Sequence, residues 1–208
     1  MLPLAALAVA LFVTLSVAPL PHPSLLPATA EAAALVPTCR AISADVVALD
    51  QTIVYNRLGA IDPEGMIFAL RQDVVDKTSN KTEAGGGVLT AGNVQLRSDK
   101  RPRPLTLRMN VGDCLTINFQ NLFNPTAIGG QPATRSVGIS VVGIQLKDSI
   151  LSDGSNVGQN AVTTGTPMAG LVPPGGTAAY TFYAQREGTN MLYSPVDNVS
   201  VEGIGTLA

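Results

Sequence analysis

Histidine is nearly missing from this 208-residue chain: the only one is His22. It lies in a segment that reads as an export signal, so the exported part has no histidine at all. That excludes a histidine-ligated metal centre and a histidine base, and with them a Ser-His-Asp triad. Tryptophan is absent and aromatic residues are only 4%, so the core has to rest mainly on Val, Ile and Leu. Charged residues are 13%, with 13 basic against 15 acidic side chains. Such a balance gives no electrostatic footprint for a nucleic-acid partner. The chain also lacks a P-loop, a dinucleotide fingerprint, a nucleophile elbow, a zinc cysteine pattern and any internal repeat. No carboxylate pair stands out from the turns, so no catalytic residue is nominated.

Residues 2–20 are apolar apart from two hydroxyls and two prolines, and a Pro-rich stretch and Ala28-Thr29-Ala30 follow. A small-x-small site after an apolar run is the pattern of a cleaved signal peptide, here 1–30, although the usual basic start is missing. Ala30-Glu31-Ala32 is a second cleavage site of the same kind. The rival reading is an uncleaved anchor, since about 18 apolar residues just span a bilayer. Pro3 and Pro19 interrupt that run, and membrane contact is expected only in this case. The expected location is therefore secreted, periplasmic or extracellular. In an oxidising compartment the two cysteines, Cys39 and Cys114, are expected to form a disulfide. Closing so long a loop stabilises by roughly 4 kcal/mol on chain-entropy grounds.

With 20 glycines and 15 prolines, the chain reads as short strands between turns. Asp45–Asp50, Thr52–Tyr55, Met66–Leu70 and Val94–Arg97 are apolar or β-branched runs. Residues 58–65 read as a turn, and 76–93 as a polar, Gly-rich mobile loop. Leu105–Val111, Cys114–Phe119 and Thr177–Tyr183 alternate apolar and polar residues, the signature of half-buried strands. Four cations between Arg97 and Arg103 (Arg97, Lys100, Arg101, Arg103) read as a solvated loop or an anion-contacting patch. No sustained helical period occurs. Seven or more short strands at this spacing argue for an antiparallel sandwich or barrel. Sequons at Asn80 and Asn198 carry meaning only in a glycosylating host.

Four segments in order, Val111-Gly-Asp-Cys-Leu-Thr-Ile117, Val137-Gly-Ile-Ser-Val-Val-Gly-Ile144, Val172-Pro-Pro-Gly-Gly-Thr-Ala-Ala-Tyr-Thr-Phe182 and Glu187-Gly-Thr-Asn-Met-Leu-Tyr-Ser194, resemble a known family. They look like the N-terminal plastocyanin-like (cupredoxin) domain of a multicopper oxidase, over about residues 105–200. The resemblance implies an all-β, cupredoxin-like Greek-key β-sandwich at 105–208, preceded by an N-terminal β extension at 31–104. Its closing strand would be shortened or missing near 199–207, as in a piece of a longer polypeptide.

The resemblance also implies copper ion binding and oxidoreductase activity, because the family places His-x-His pairs on the second and fourth segments. Here those positions hold Ser140, Val142, Tyr193 and Pro195, none of which is a useful copper ligand. No metal site and no cofactor are therefore expected in this chain. Met66, Met109, Met168 and Met191 are the remaining soft donors, a residue type more often used to fill cores. Three functions stay open. One is a copper-free structural or interaction domain of a secreted protein. Another is the N-terminal part of a working metal-ion or phenol oxidase with its copper ligands in other domains or chains. The last is an extracellular ligand-binding module using the loops 76–104 and 148–170. Partners would be further cupredoxin domains, or another copy paired through an open sheet edge.

Overall fold

The computed structural model describes residues 38–63, 65–126, 135–147 and 171–195. The expected signal segment with His22, Met168, the stretch 148–170 read as a loop, Asn198 and the expected closing strand at 199–207 lie outside the described residues. Within them the protein is all-β with two short 3-10 turns. No described helix is long and apolar enough to cross a membrane.

Five strands form the main sheet: β1 (Arg40–Asp50), β4 (Met66–Leu70), β7 (Asp113–Asn121), β9 (Gln145–Leu146) and β10 (Thr177–Tyr183), in the order β4-β1-β7-β10-β9. Between and after them lie β2 (Ile53–Val54), β3 (Ile61–Asp62), β5 (Val74–Asp76), β6 (Val94–Leu96), β8 (Ser140–Val141) and β11 (Leu192–Tyr193). These pair off antiparallel as β2–β3, β5–β6 and β8–β11. The sheet takes strands from both sides of residue 104.

One pairing departs from the antiparallel expectation. β1 and β7 run parallel, in register from Arg40↔Asp113 to Ala48↔Asn121. The expected disulfide sits at the head of this pair, joining Cys39 to Cys114 with Cα atoms 5.6 Å apart, within the range that a bridge requires. Beside it, the Arg40 guanidinium donates two hydrogen bonds to the Asp113 carboxylate, at 2.8 and 2.7 Å. Asp113 is buried and also accepts from the Asn110 amide. These contacts hold its carboxyl below the ordinary range, the Arg40 hydrogen bond most of all. A covalent bond and a charged fork thus fix the start of two strands that are far apart in sequence.

Alternation on β7 and β10 sends Leu115, Ile117, Phe119, Ala178, Tyr180 and Phe182 into the first core. Phe119 is the centre of its aromatic part, 5.9 Å edge-on to Phe68 and 6.2 Å from Tyr180 between ring centroids. Val137, Ile139 and Val172 close this core from above, and Val141 and Leu192 of the β8–β11 pair pack on it. That second layer makes the architecture a β-sandwich. Val46–Leu49 is buried on both faces, because a second core lies behind β1 and β4. It joins Val47, Leu49, Ile67 and Ala69 to Val74, Leu89, Val94 and Leu122.

Several sequence expectations change. Residues 105–110 alternate in burial, with Leu105, Leu107 and Met109 packed on the first core, yet they form no strand. The turn expected at 58–65 contains β3, which pairs with β2 to make a small hairpin. The Gly-rich segment 76–93 has defined internal order. The Asp76 carboxylate accepts from the Ser79 hydroxyl, the Thr78 and Ser79 amides and the Asn93 side chain. The Thr82 hydroxyl accepts from the Gly85 amide to start a 3-10 turn at Glu83–Gly85. Polar composition here reflects turns that satisfy themselves, with Leu89 turned inward as ballast.

Candidate functional site

Three of the four positions singled out by the family resemblance, Ser140, Val142 and Tyr193, lie on or beside one strand pair. β8 and β11 pair antiparallel with Tyr193 opposite Ser140 and Leu192 opposite Val141. The Val142 amide extends the pair by donating to the Met191 carbonyl at 3.0 Å. Side chains alternate along a strand, and Val141 and Leu192 face the core. Ser140, Val142, Met191 and Tyr193 therefore share the opposite, outward face. Val142 and Met191 are about half exposed, at 53% and 51%. Pro195, half-buried, follows two residues after Tyr193.

Gly143 closes the turn after β8 at φ +82, and a Cβ there would lie 2.9 Å from the Asn190 Oδ1. A side chain at this position would be strained by its backbone and crowded by Asn190. Ser194, between Tyr193 and Pro195, points inward: it is buried, and its hydroxyl has no hydrogen-bond partner among the described residues.

This donor set does not suit copper. Ser140 and Tyr193 supply neutral hydroxyls, while Val142 and Pro195 supply nothing. Copper in nitrogen and sulfur sites needs imidazole, thiolate or thioether. Both thiols are committed to the disulfide. Met66 is buried in the core beside Arg135, Met109 packs on the same core, and Met191 is exposed. Among the described residues no three His, Cys, Asp or Glu side chains converge as a metal cage.

The other nominated features separate. In the basic stretch, Arg97 forks onto Asp99 with two 3.0 Å contacts, and Lys100 pairs with Asp73 at 3.0 Å. Arg101 and Arg103 make no ion pair among the described residues. They line a groove beside β4 together with Arg108, a residue that the alternating pattern had placed in a strand.

Two polar clusters carried no sequence signal. Arg71 forks onto Glu83 at 2.6 and 2.8 Å and reaches Gln120, which ties the first 3-10 turn to the sheet. Arg135 pairs with Asp50, lies 4.8 Å over the Phe123 ring and donates to the Asn124 carbonyl. The buried Asn121 side chain donates to the Arg135 and Val172 carbonyls and accepts from the Phe123 amide. No fully buried side-chain polar atom of these clusters lacks a hydrogen-bond partner, which marks them as structural.

The chain matches no protein-family profile, and no curated protein matches it in sequence. Among solved structures it is similar to one described as a crystal structure of a multicopper oxidase, at 18% identity and a TM-score of 0.42. The likeness covers 78% of this chain and 38% of that one, so the chain spans well under half of that protein.

Proposed function

We propose that this chain is a cupredoxin-like domain of the multicopper-oxidase type whose copper-ligand positions have been replaced. Its work is structural or interactive, in a protein exported from the cytoplasm. The observation that carries this reading is the β8–β11 register. Two segments about fifty residues apart, each nominated for a His-x-His pair by resemblance alone, lie side by side with Ser140 opposite Tyr193. Ser140, Val142, Tyr193 and Pro195 offer no imidazole, thiolate or thioether, which supports the copper-free reading, and the outward direction of that face supports contact with a further domain.

Metal analysis of the purified full chain after dialysis against Cu(II) tests the reading. Copper far below one equivalent is expected, whereas about one tightly held equivalent would overturn the copper-free assignment. The double variant Ser140→His, Tyr193→His tests the register separately. Facing imidazoles across an antiparallel pair are close enough to chelate one ion. A Cu(II) electron-paramagnetic-resonance signal with nitrogen coupling is therefore expected from this variant and not from the unmodified chain. A folded double variant without that signal would remove the support that the register gives.

A further inference from the structure

Among the described residues, β4 is the outer strand of the main sheet and pairs with β1 alone. None of the turn, loop and cap backbone hydrogen bonds among the described residues involves Met66–Leu70. The extended segment 101–109 is in the same condition, with no described backbone partner along its length. Between the two lies a groove of about 540 Å³. The half-buried Leu70, Leu105 and Leu107 contribute apolar walls, while Arg101, Arg103 and Arg108 stand along it exposed. The only acid on the groove, Asp73, is already paired with Lys100 at 3.0 Å.

Unpaired strand edges bind other strands unless something blocks them. Here Pro102 and Pro104 remove two amide donors at one end of the 101–109 segment, which leaves pairing to begin at Leu105. The β4 edge has no proline and no inward charge. We propose that this groove is a docking site for an extended acidic segment of a partner protein, added as a strand along β4. Backbone hydrogen bonds to β4 would supply the affinity. Carboxylates on alternate residues would meet the three arginines, and the intervening apolar side chains would face Leu70 and Leu107. Charge complementarity selects this occupant: three guanidiniums with no ion-pair partner among the described residues, beside a strand edge with no described partner, fit an acidic strand and repel a basic one. The inference is independent of the fate of the copper positions.

The test uses the full chain and a fluorescein-labelled synthetic peptide of alternating Val and Glu. Fluorescence anisotropy should show binding that weakens as salt rises. The Arg101→Glu, Arg103→Glu, Arg108→Glu variant should bind at least about tenfold more weakly. Its melting midpoint, read alongside, confirms that it is folded. A peptide with prolines at two central positions, equal in charge, should also lose binding, and hydrogen exchange at Met66–Leu70 should slow only with the unbroken peptide. No binding to the unbroken peptide, equal binding by the proline peptide, or binding that survives the triple reversal would each overturn the proposal. Equal affinity for a Val–Lys peptide would overturn it too.

Discussion

The two faces of the main sheet bury comparable strands with different means. The first face carries all the buried aromatic rings, Phe68, Phe119, Phe123, Tyr180 and Phe182, and is roofed by β8, β11 and the segments around Val137 and Val172. The core on the second face is aliphatic throughout its described members; Tyr183 of β10 lies on that face beyond it, half-buried. Its cover is the Gly-rich stretch after β5, anchored by Leu89 and Val94 and by hydrogen bonds to Asp76. The second core reaches only β1 and β4, and beyond it the same face turns polar. There Thr116 and Thr181 share a hydrogen bond across the β7–β10 pair at 3.2 Å. In a chain with few aromatics, concentrating the rings on one side leaves the other side to aliphatic packing and turn chemistry. The difference shows how one sheet is finished with a thick core and a thin one.

The largest effect is expected where the rings meet. Phe119→Ala should cost about 3–5 kcal/mol, since it opens a cavity between Phe68 and Tyr180. Leu122→Ala, in the aliphatic core, should cost about 2–4 kcal/mol, because a smaller side chain leaves a smaller cavity. Urea titration followed by circular dichroism measures both. If the two cores form one cooperative unit, each variant shifts a single transition. A second, earlier transition in Leu122→Ala alone would show that the Gly-rich cover melts by itself, and would break the comparison into two separate units.

The bridge at the head of the parallel β1–β7 pair comes next. Cys39→Ser should lower stability by roughly 2–5 kcal/mol, measured as a drop in the melting midpoint under non-reducing conditions. A thiol assay on denatured, unreduced protein should find no free sulfhydryl. Two free sulfhydryls, or an unchanged midpoint, would count against the bridge as a stabilising element.

Much of the first core was legible from alternation. Leu115, Ile117 and Phe119 are apolar at every second position, with Thr116 and Asn118 between them, and they point where that period says. Val46–Leu49, an unbroken apolar run, signals a strand covered on both faces. What could not be read is what depends on distant partners. Leu105, Leu107 and Met109 keep the strand period because they pack on the core, but period reports side-chain direction and not backbone pairing. The parallel match of β1 to β7 is likewise a tertiary choice: the expected disulfide brings Cys39 near Cys114 and says nothing of strand direction. Turn-forming residues in 76–93 looked like a loop, and single apolar residues such as Leu89 are too few to announce a core. The Ser140–Tyr193 pairing was reachable only through family resemblance, and the groove beside β4 only once Arg101, Arg103 and Arg108 were seen together.

The smallest effect expected is a pH dependence that separates the two ends of β1. Asp113 lies at the disulfide end and has a carboxyl held below its usual 3.8, through the Arg40 hydrogen bond and then the Asn110 amide. Asp76, in the cover of the second core, is also held low, by the Ser79 hydroxyl and then the Thr78 amide. A depressed carboxyl contributes stability above its unfolded pKa and loses it as pH falls through the folded value. The melting midpoint should therefore be level near neutrality and fall as the pH drops below about 3.8. Asp113→Asn should lower the midpoint at neutral pH, because the Arg40 fork loses its charged partner, and should flatten the acid slope. Asp76→Asn should flatten it as well, with a smaller loss at neutral pH, since no cation among the described residues pairs with Asp76. Equal losses in the two variants would mean that the ion pair with the exposed Arg40 adds little, and that amide and hydroxyl donors alone hold both carboxylates.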